Sequence, residues 1–300
     1  MDALTTALNA ILPTFMLIAL GGLADKFFPD LHMETLARLS VQVLIPALIF
    51  NALVSTDLTL ASALRLSAAY GVYLLGLAVV VLLGSRSLRR DQIMGVMVTT
   101  LFGNTGNMGL PITLFAYGQA GFERAVVLLV VSLTAMFVAG PTLLAGGTVK
   151  IGLRLREAFK LPPIWATLAG LLVNVLPLTL PLSVSRGVAL LANAAIPVML
   201  LSLGLQMRRS WVWELGPAAL RTTAFRLGLG PFIAYGAAKL LGLEPLDLKV
   251  LVLSAAMPAA VTMFVVAVEL KGDYKGVARS VVATTLGSLL AIAAVLFAFP

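Results

Sequence analysis

The residues best suited to chemistry in this 300-residue chain lie in one short run, Gly103-Asn104-Thr105-Gly106-Asn107-Met108-Gly109-Leu110-Pro111. Glycine, asparagine, threonine and proline there interrupt a stretch that is otherwise apolar. Pro111 cannot donate a backbone hydrogen bond, and it disfavours helix in the residue before it. Glycine adds backbone freedom. The run therefore predicts a helix broken between Asn104 and Gly109. A half-helix starting near Pro111 would present free N–H groups and a partial positive charge, a neutral cradle suited to an anion. The glycines have a plainer use as well, since Gly103, Gly106 and Gly109 at helical spacing permit close helix packing.

A counterpart stands later in the chain, Ser254-Ala255-Ala256-Met257-Pro258-Ala259-Ala260-Val261-Thr262. If the two breaks cross, Asn104, Thr105, Gly106, Asn107 and Pro111 from one would face Pro258, Ala259, Val261 and Thr262 from the other. Asn51, in an earlier apolar segment, is a further candidate contact. Arg226 is the one basic residue well inside an apolar segment. A charge there is costly and must face protein or water. It could balance a substrate carboxylate, snorkel to the headgroups, or bond carbonyls freed by a break. Glu269, close to Lys271, reads either as half of a surface ion pair or as a weak cation or proton site.

Catalytic patterns are missing. There is no P-loop, no HExxH, no GxSxG and no paired aspartate motif within the apolar segments. Cysteine is absent, which excludes disulfides and thiolate chemistry. The single His32 sits beside Asp30 and Glu34 in a short polar stretch, with no ligand set around it. The expectation is a protein that is not an enzyme, with no cofactor and no metal centre.

The elements that must position these residues follow from composition. Apolar residues make up 60% of the chain and charged residues 11%, with a mean hydropathy of +1.03. A soluble domain carries roughly 25% charged residues, so the solvent for most of this chain is lipid. Segments of ~20 apolar residues span a bilayer. Ten are expected, near 3–24, 35–55, 63–84, 91–117, 122–146, 161–180, 185–207, 215–242, 246–270 and 276–299. With the N-terminus outside, fifteen of the 21 Lys and Arg fall in inner loops and five in outer ones. The positive-inside rule then places both termini on the periplasmic side of a cell inner membrane. The N-terminus lacks the basic region of a cleaved signal, so the first segment is expected to be retained. Trp211 and Trp213 read as an interfacial anchor. The net charge of +8 belongs to loops facing an anionic leaflet and implies no nucleic acid. The Lys150–Lys160 stretch reads as a solvated inner loop or, alternatively, a basic partner-binding loop.

The chain also resembles itself. Leu12-Pro13 corresponds to Pro162-Pro163, and Val43-Leu44-Ile45-Pro46-Ala47-Leu48 to Ala194-Ala195-Ile196-Pro197-Val198-Met199. Gln42 matches Asn193, Asn51 matches Ser202, Leu64-Arg65 matches Leu220-Arg221, and Pro111 matches Pro258. Halves of five segments each, residues 1–150 and 151–300, must enter the membrane in opposite senses. The fold class expected is an all-α membrane protein of ten transmembrane helices in two inverted five-helix repeats, its fourth and ninth segments broken and crossing. That plan is characteristic of secondary transporters.

The run from Asn104 to Pro111 resembles the signature of the auxin efflux carrier family, and the run from Pro258 through Phe264 to Glu269 is similar to that family's second break. The resemblance implies an elevator-type carrier of small organic anions. Segments one, two, six and seven would form a scaffold and the other six a transport domain. It also implies that Asn104 contacts a substrate carboxylate and that Pro111 and Pro258 are the crossover prolines. The third segment offers Tyr70 and Tyr73 and the fifth Ser132 and Thr134, where plant members carry an acidic support site. This departure favours a malonate- or malate-like carboxylate over an auxin-like weak acid. The partners expected are that anion and the lipid bilayer, and the plan is compatible with a homodimer. Two alternatives are a sodium-coupled symporter of the bile acid carrier type and a non-transporting membrane sensor.

Overall fold

The computed structural model describes residues 3–28, 30–145, 151–176, 178–209, 214–270 and 272–300. Lys150, Trp211, Trp213 and Lys271, which figure in the loop, anchor and ion-pair expectations, lie outside the described residues. The first half contains α1 (Ala3–Ala24), α2 (Met33–Leu39), α3 (Ile45–Val54), α4 (Leu60–Gly84), α5 (Arg90–Leu101) and α6 (Leu110–Leu144), and α7 (Ile151–Ala158) opens the second. The second also contains α8 (Pro162–Val175), α9 (Leu182–Arg209), α10 (Pro217–Thr223), α11 (Gly230–Leu240), α12 (Pro245–Ala255), α13 (Thr262–Glu269) and α14 (Tyr274–Ala298). π-Helical turns at Ser40–Leu44, Thr105–Gly109 and Ala224–Leu229 join α2 to α3, lead into α6, and join α10 to α11.

Among the described residues, six helical stretches are long and apolar enough to cross a membrane: Ala7–Ala24, Thr35–Val54, Leu60–Gly84, Thr105–Leu144, Leu182–Arg209 and Tyr274–Ala298. The other segments expected from sequence are shorter or interrupted. The sixth is α8, only 14 residues long with Pro162 and Pro163 in its first turn. The eighth passes through a π-helical turn, and the fourth and ninth are broken outright. The long stretch ending at Leu144 is itself divided at Gly118, whose φ of 65° and ψ of −164° lie outside the helical region. Only glycine adopts that conformation without strain. It turns the chain between the expected fourth and fifth segments.

Helix starts follow local chemistry. Thr59 caps α4 by accepting from the N–H of Ser62, and Asp273 caps α14 by accepting from the N–H of Gly276. Large apolar side chains cover the exterior: Leu75, Phe232 and Leu290 are each at least 70% exposed. That is the surface of a protein solvated by lipid.

The helices sort into two groups by packing. In one, α1 lies along α9, and α3 packs on α8 and α9. Backbones there touch directly, because a Cβ added at Gly204 would collide with the carbonyl of Ile18 and one at Gly21 with that of Leu201. Small residues at such a crossing are the usual basis of helix association in lipid. Asp25 at the end of α1 is bonded by Arg208 at 3.1 Å and Arg209 at 2.7 Å. In the other group α4 packs on α5 and α11, α10 on α5 and α14, and α12 on α6 and α11. The groups meet where α1 touches α6 and α14, and where α9 touches the turn Thr105–Gly109.

Candidate functional site

The two sequence interruptions fall together in space. Helix α5 ends at Leu101 and α12 at Ala255, and the extended residues that follow them pair. Gly103 and Ala259 form an isolated antiparallel bridge. The N–H of Asn104 donates to the carbonyl of Pro258 at 2.8 Å, and the N–H of Ala260 donates to the carbonyl of Phe102 at 2.9 Å. The N–H of Ala259 donates to the hydroxyl of Thr284 on α14 at 3.1 Å. Backbone polar groups freed by the breaks are thus satisfied by each other and by α14, as a lipid-excluded interior requires.

From this junction the chain turns helical again on both sides. The carbonyl of Asn104 accepts from Met108 and Gly109, and its side-chain oxygen accepts from the N–H of Asn107 at 3.2 Å. Asn104 therefore caps the π-helical turn. Pro111 sits in the first turn of α6, where its missing N–H cannot serve the carbonyl four residues earlier. On the other side α13 starts at Thr262. The first N–H groups of a helix have no intrahelical partner and carry partial positive charge.

Both starts open onto one small cavity of about 110 Å³. Asn104, Thr105, Gly106 and Asn107 line it from one break, and Ala260, Val261 and Thr262 from the other. Its remaining wall includes Ser40 and Ile45 from the second segment, Ser132 and Met136 from α6, and Met199, Ser202 and Gln206 from α9. None of the lining side chains is charged. The hydroxyls of Ser40 and Ser202 are buried against this cavity with no hydrogen-bond partner among the described residues. A buried hydroxyl without a partner is unfavourable, so the cavity presents unused hydrogen-bonding capacity. Helix starts, amides and hydroxyls together suit a small anion recognised by neutral donors.

The other predicted residues are placed differently. Pro258 and Ala259 take part in the junction itself but do not line the cavity, and Pro111 is buried behind it. Asn51 is exposed on α3, whereas its counterpart in the repeat, Ser202, lines the cavity. Glu269 is exposed at the end of α13, and the described residues contain no group of acidic or histidine side chains able to hold a metal ion. His32 is exposed.

Arg226 is 1% exposed and does not line the cavity. Its Nε donates to the carbonyl of Met257 at 2.6 Å and its Nη1 to the carbonyl of Thr100 at 2.5 Å. Of the three roles open to it from sequence, it takes the one of bonding carbonyls freed by the breaks. Gly103 makes room for it, since any Cβ there would collide with the guanidinium.

Sequence reasoning missed Ser40 and Gln206 altogether, and assigned Met199, Ser202 and Ser132 no place in the site. Ser202 carried one signal, its repeat match to the polar Asn51. A lone serine in an apolar helix is otherwise unremarkable, because it can bond its own backbone, as Ser67 does to the carbonyl of Ala63 at 2.7 Å.

Comparison with known proteins points to membrane transport. The profile of a family described as membrane transport protein matches residues 6–146 and 147–296. A protein of Methanothermobacter thermautotrophicus named an uncharacterized transporter is 28% identical over 97% of this chain and 95% of its own length. A Rhizobium meliloti protein provisionally named a malonate transporter is 27% identical over 96% of this chain and 94% of its own.

Proposed function

Since this chain belongs to the membrane transport protein family, which includes the auxin efflux carriers, we propose that it moves a small organic anion across the membrane by alternating access. The observation that carries the proposal is the reciprocal pairing of the breaks, Asn104 to Pro258 and Ala260 to Phe102. It sets two helix starts against one cavity, the arrangement that binds anionic groups in carriers with discontinuous helices. On this reading the ten segments form two inverted five-helix repeats, residues 1–150 and 151–300, with the fourth and ninth crossing at the junction. The group of α1, α3, α8 and α9 is the scaffold. The remaining helices carry the junction past it as an elevator. The membrane is the cell inner membrane, with both termini periplasmic.

Cavity size narrows the substrate. A volume of about 110 Å³ is well below the ~300 Å³ at which drug-sized pockets begin, and favours a malonate-like carboxylate over a bulky aromatic acid. The relative named for malonate transport supports the same class. Uptake of radiolabelled malonate, malate and indole-3-acetate into proteoliposomes tests the reading. Saturable uptake of the small dicarboxylates is expected. Empty-liposome rates for every carboxylate would overturn it.

A further inference from the structure

A buried guanidinium needs compensating negative charge, and Arg226 has no carboxylate partner among the described residues. Its bonds go to the carbonyl of Thr100, in the last turn of α5, and to that of Met257, just beyond the end of α12 at Ala255. These helices have 12 and 11 residues. Each C-terminus carries about half a negative charge, so the two together offer about one. One guanidinium matches that charge. Carriers with discontinuous helices bring such carbonyl ends together, and there they coordinate a sodium ion or proton. Here a side chain already occupies the place. Two features keep it there: the π-helical turn Ala224–Leu229 that holds Arg226, and the absence of a side chain at Gly103. Alignment slips of this kind within helices recur at functional positions.

We propose that Arg226 is a built-in substitute for a coupling cation. Its guanidinium neutralises the carbonyl ends of both half-helices in every state, so anion transport needs no metal cation at the junction. The proposal rests on the reading of the paired breaks as the transport centre. It assigns Arg226 as a positioning residue, acting through the two half-helices rather than by touching the anion. It also separates this chain from a sodium-coupled symporter on chemical grounds: the oxygens a sodium ion would need are already bonded.

The test measures thermal unfolding and radiolabelled malonate uptake in sodium, potassium and choline chloride. For the wild type, both should be the same in all three salts. In choline, Arg226→Ala should lower the unfolding midpoint and slow uptake by about ten- to hundredfold, the loss expected for one charged hydrogen-bond partner. Millimolar methylguanidinium or sodium should then restore both saturably, because a ligand that binds only the folded state stabilises it. A merely structural arginine gives no such rescue. Wild-type uptake that stops without sodium overturns the proposal, as does an Arg226→Ala protein indifferent to every cation. Should Arg226→Ala not fold, Arg226→Lys decides: it retains the charge and should stay sodium-independent, and a sodium-dependent midpoint counts against the idea. Absence of malonate uptake by the wild type would count against the transport reading alone, leaving the unfolding midpoints to judge Arg226.

Discussion

The N–H of Asn104 donates to the carbonyl of Pro258 at 2.8 Å, although the two residues stand in different halves of the chain. The same asparagine turns its side-chain oxygen to the N–H of Asn107 at 3.2 Å and lines the cavity. One residue thus joins the breaks, caps a helix start and faces the proposed anion.

Those roles can be separated by substitution. Asn104→Ala removes the cap, and stability should fall by about 1 kcal/mol. Asn104→Asp retains the cap, with an acceptor that also favours the helix N-terminus, but adds negative charge to the cavity. We expect Asn104→Asp to unfold near the wild-type temperature and yet bind no malonate. Calorimetric titration alongside thermal unfolding checks this, and tight malonate binding by the aspartate variant would remove Asn104 from the site.

Neighbouring glycines should behave unequally. A Cβ at Gly103 collides with the Arg226 guanidinium, whereas one at Gly106 meets the flexible end of Leu129 at 3.3 Å. Gly103→Ala should therefore destabilise by about 1–3 kcal/mol, the range for overpacking. Gly106→Ala should fold nearly normally and lose substrate affinity, since Gly106 lines the cavity. Equal stability losses at the two positions would contradict the fixed place of Arg226.

Pro111→Ala and Pro258→Ala should each impair transport more than folding. Alanine restores a backbone donor and favours continuous helix, drawing N–H groups away from the cavity. Because the breaks are bonded to one another, the effects should not add, with coupling of about 0.5–3 kcal/mol for groups in one network. Affinities of both single variants and the double variant measure the coupling. Simple additivity would falsify a shared junction.

The proposed odd number of segments in each half makes a sidedness prediction. Single cysteines replacing Leu4, Lys160 and Lys239 in this cysteine-free chain should react with an impermeant thiol reagent from two sides. Leu4→Cys and Lys239→Cys should label from the periplasm and Lys160→Cys from the cytoplasm. Labelling of all three from one side is incompatible with inverted repeats.

Much of this site is legible in sequence because lipid punishes polarity. Asn104, Asn107 and the surrounding glycines are conspicuous in an apolar stretch, and Pro111 and Pro258 cannot sit in an unbroken helix without cost. Arg226 is conspicuous for the same reason, though its sequence neighbours say nothing of which carbonyls it bonds. Composition likewise places the protein in the membrane, whereas the turn at Gly118 shows only in the positive φ the structure gives it.

Serines obey no such rule. Ser67 and Ser202 are alike in sequence, each one hydroxyl in an apolar helix, yet Ser67 bonds its own carbonyl and Ser202 faces the cavity unpartnered. Asn51 shows the converse, a polar residue matched to Ser202 by the repeat but exposed on α3. The sequence by itself determined a lipid-solvated helical protein with two interrupted segments, because those features depend on each residue's own cost in hydrocarbon. Only the tertiary structure decided that the interruptions pair, that Arg226 closes their carbonyl ends, and that Ser40 and Ser202 complete the wall. Those outcomes depend on how each helix is rotated against its neighbours, which small contacts such as Gly21 on Leu201 set.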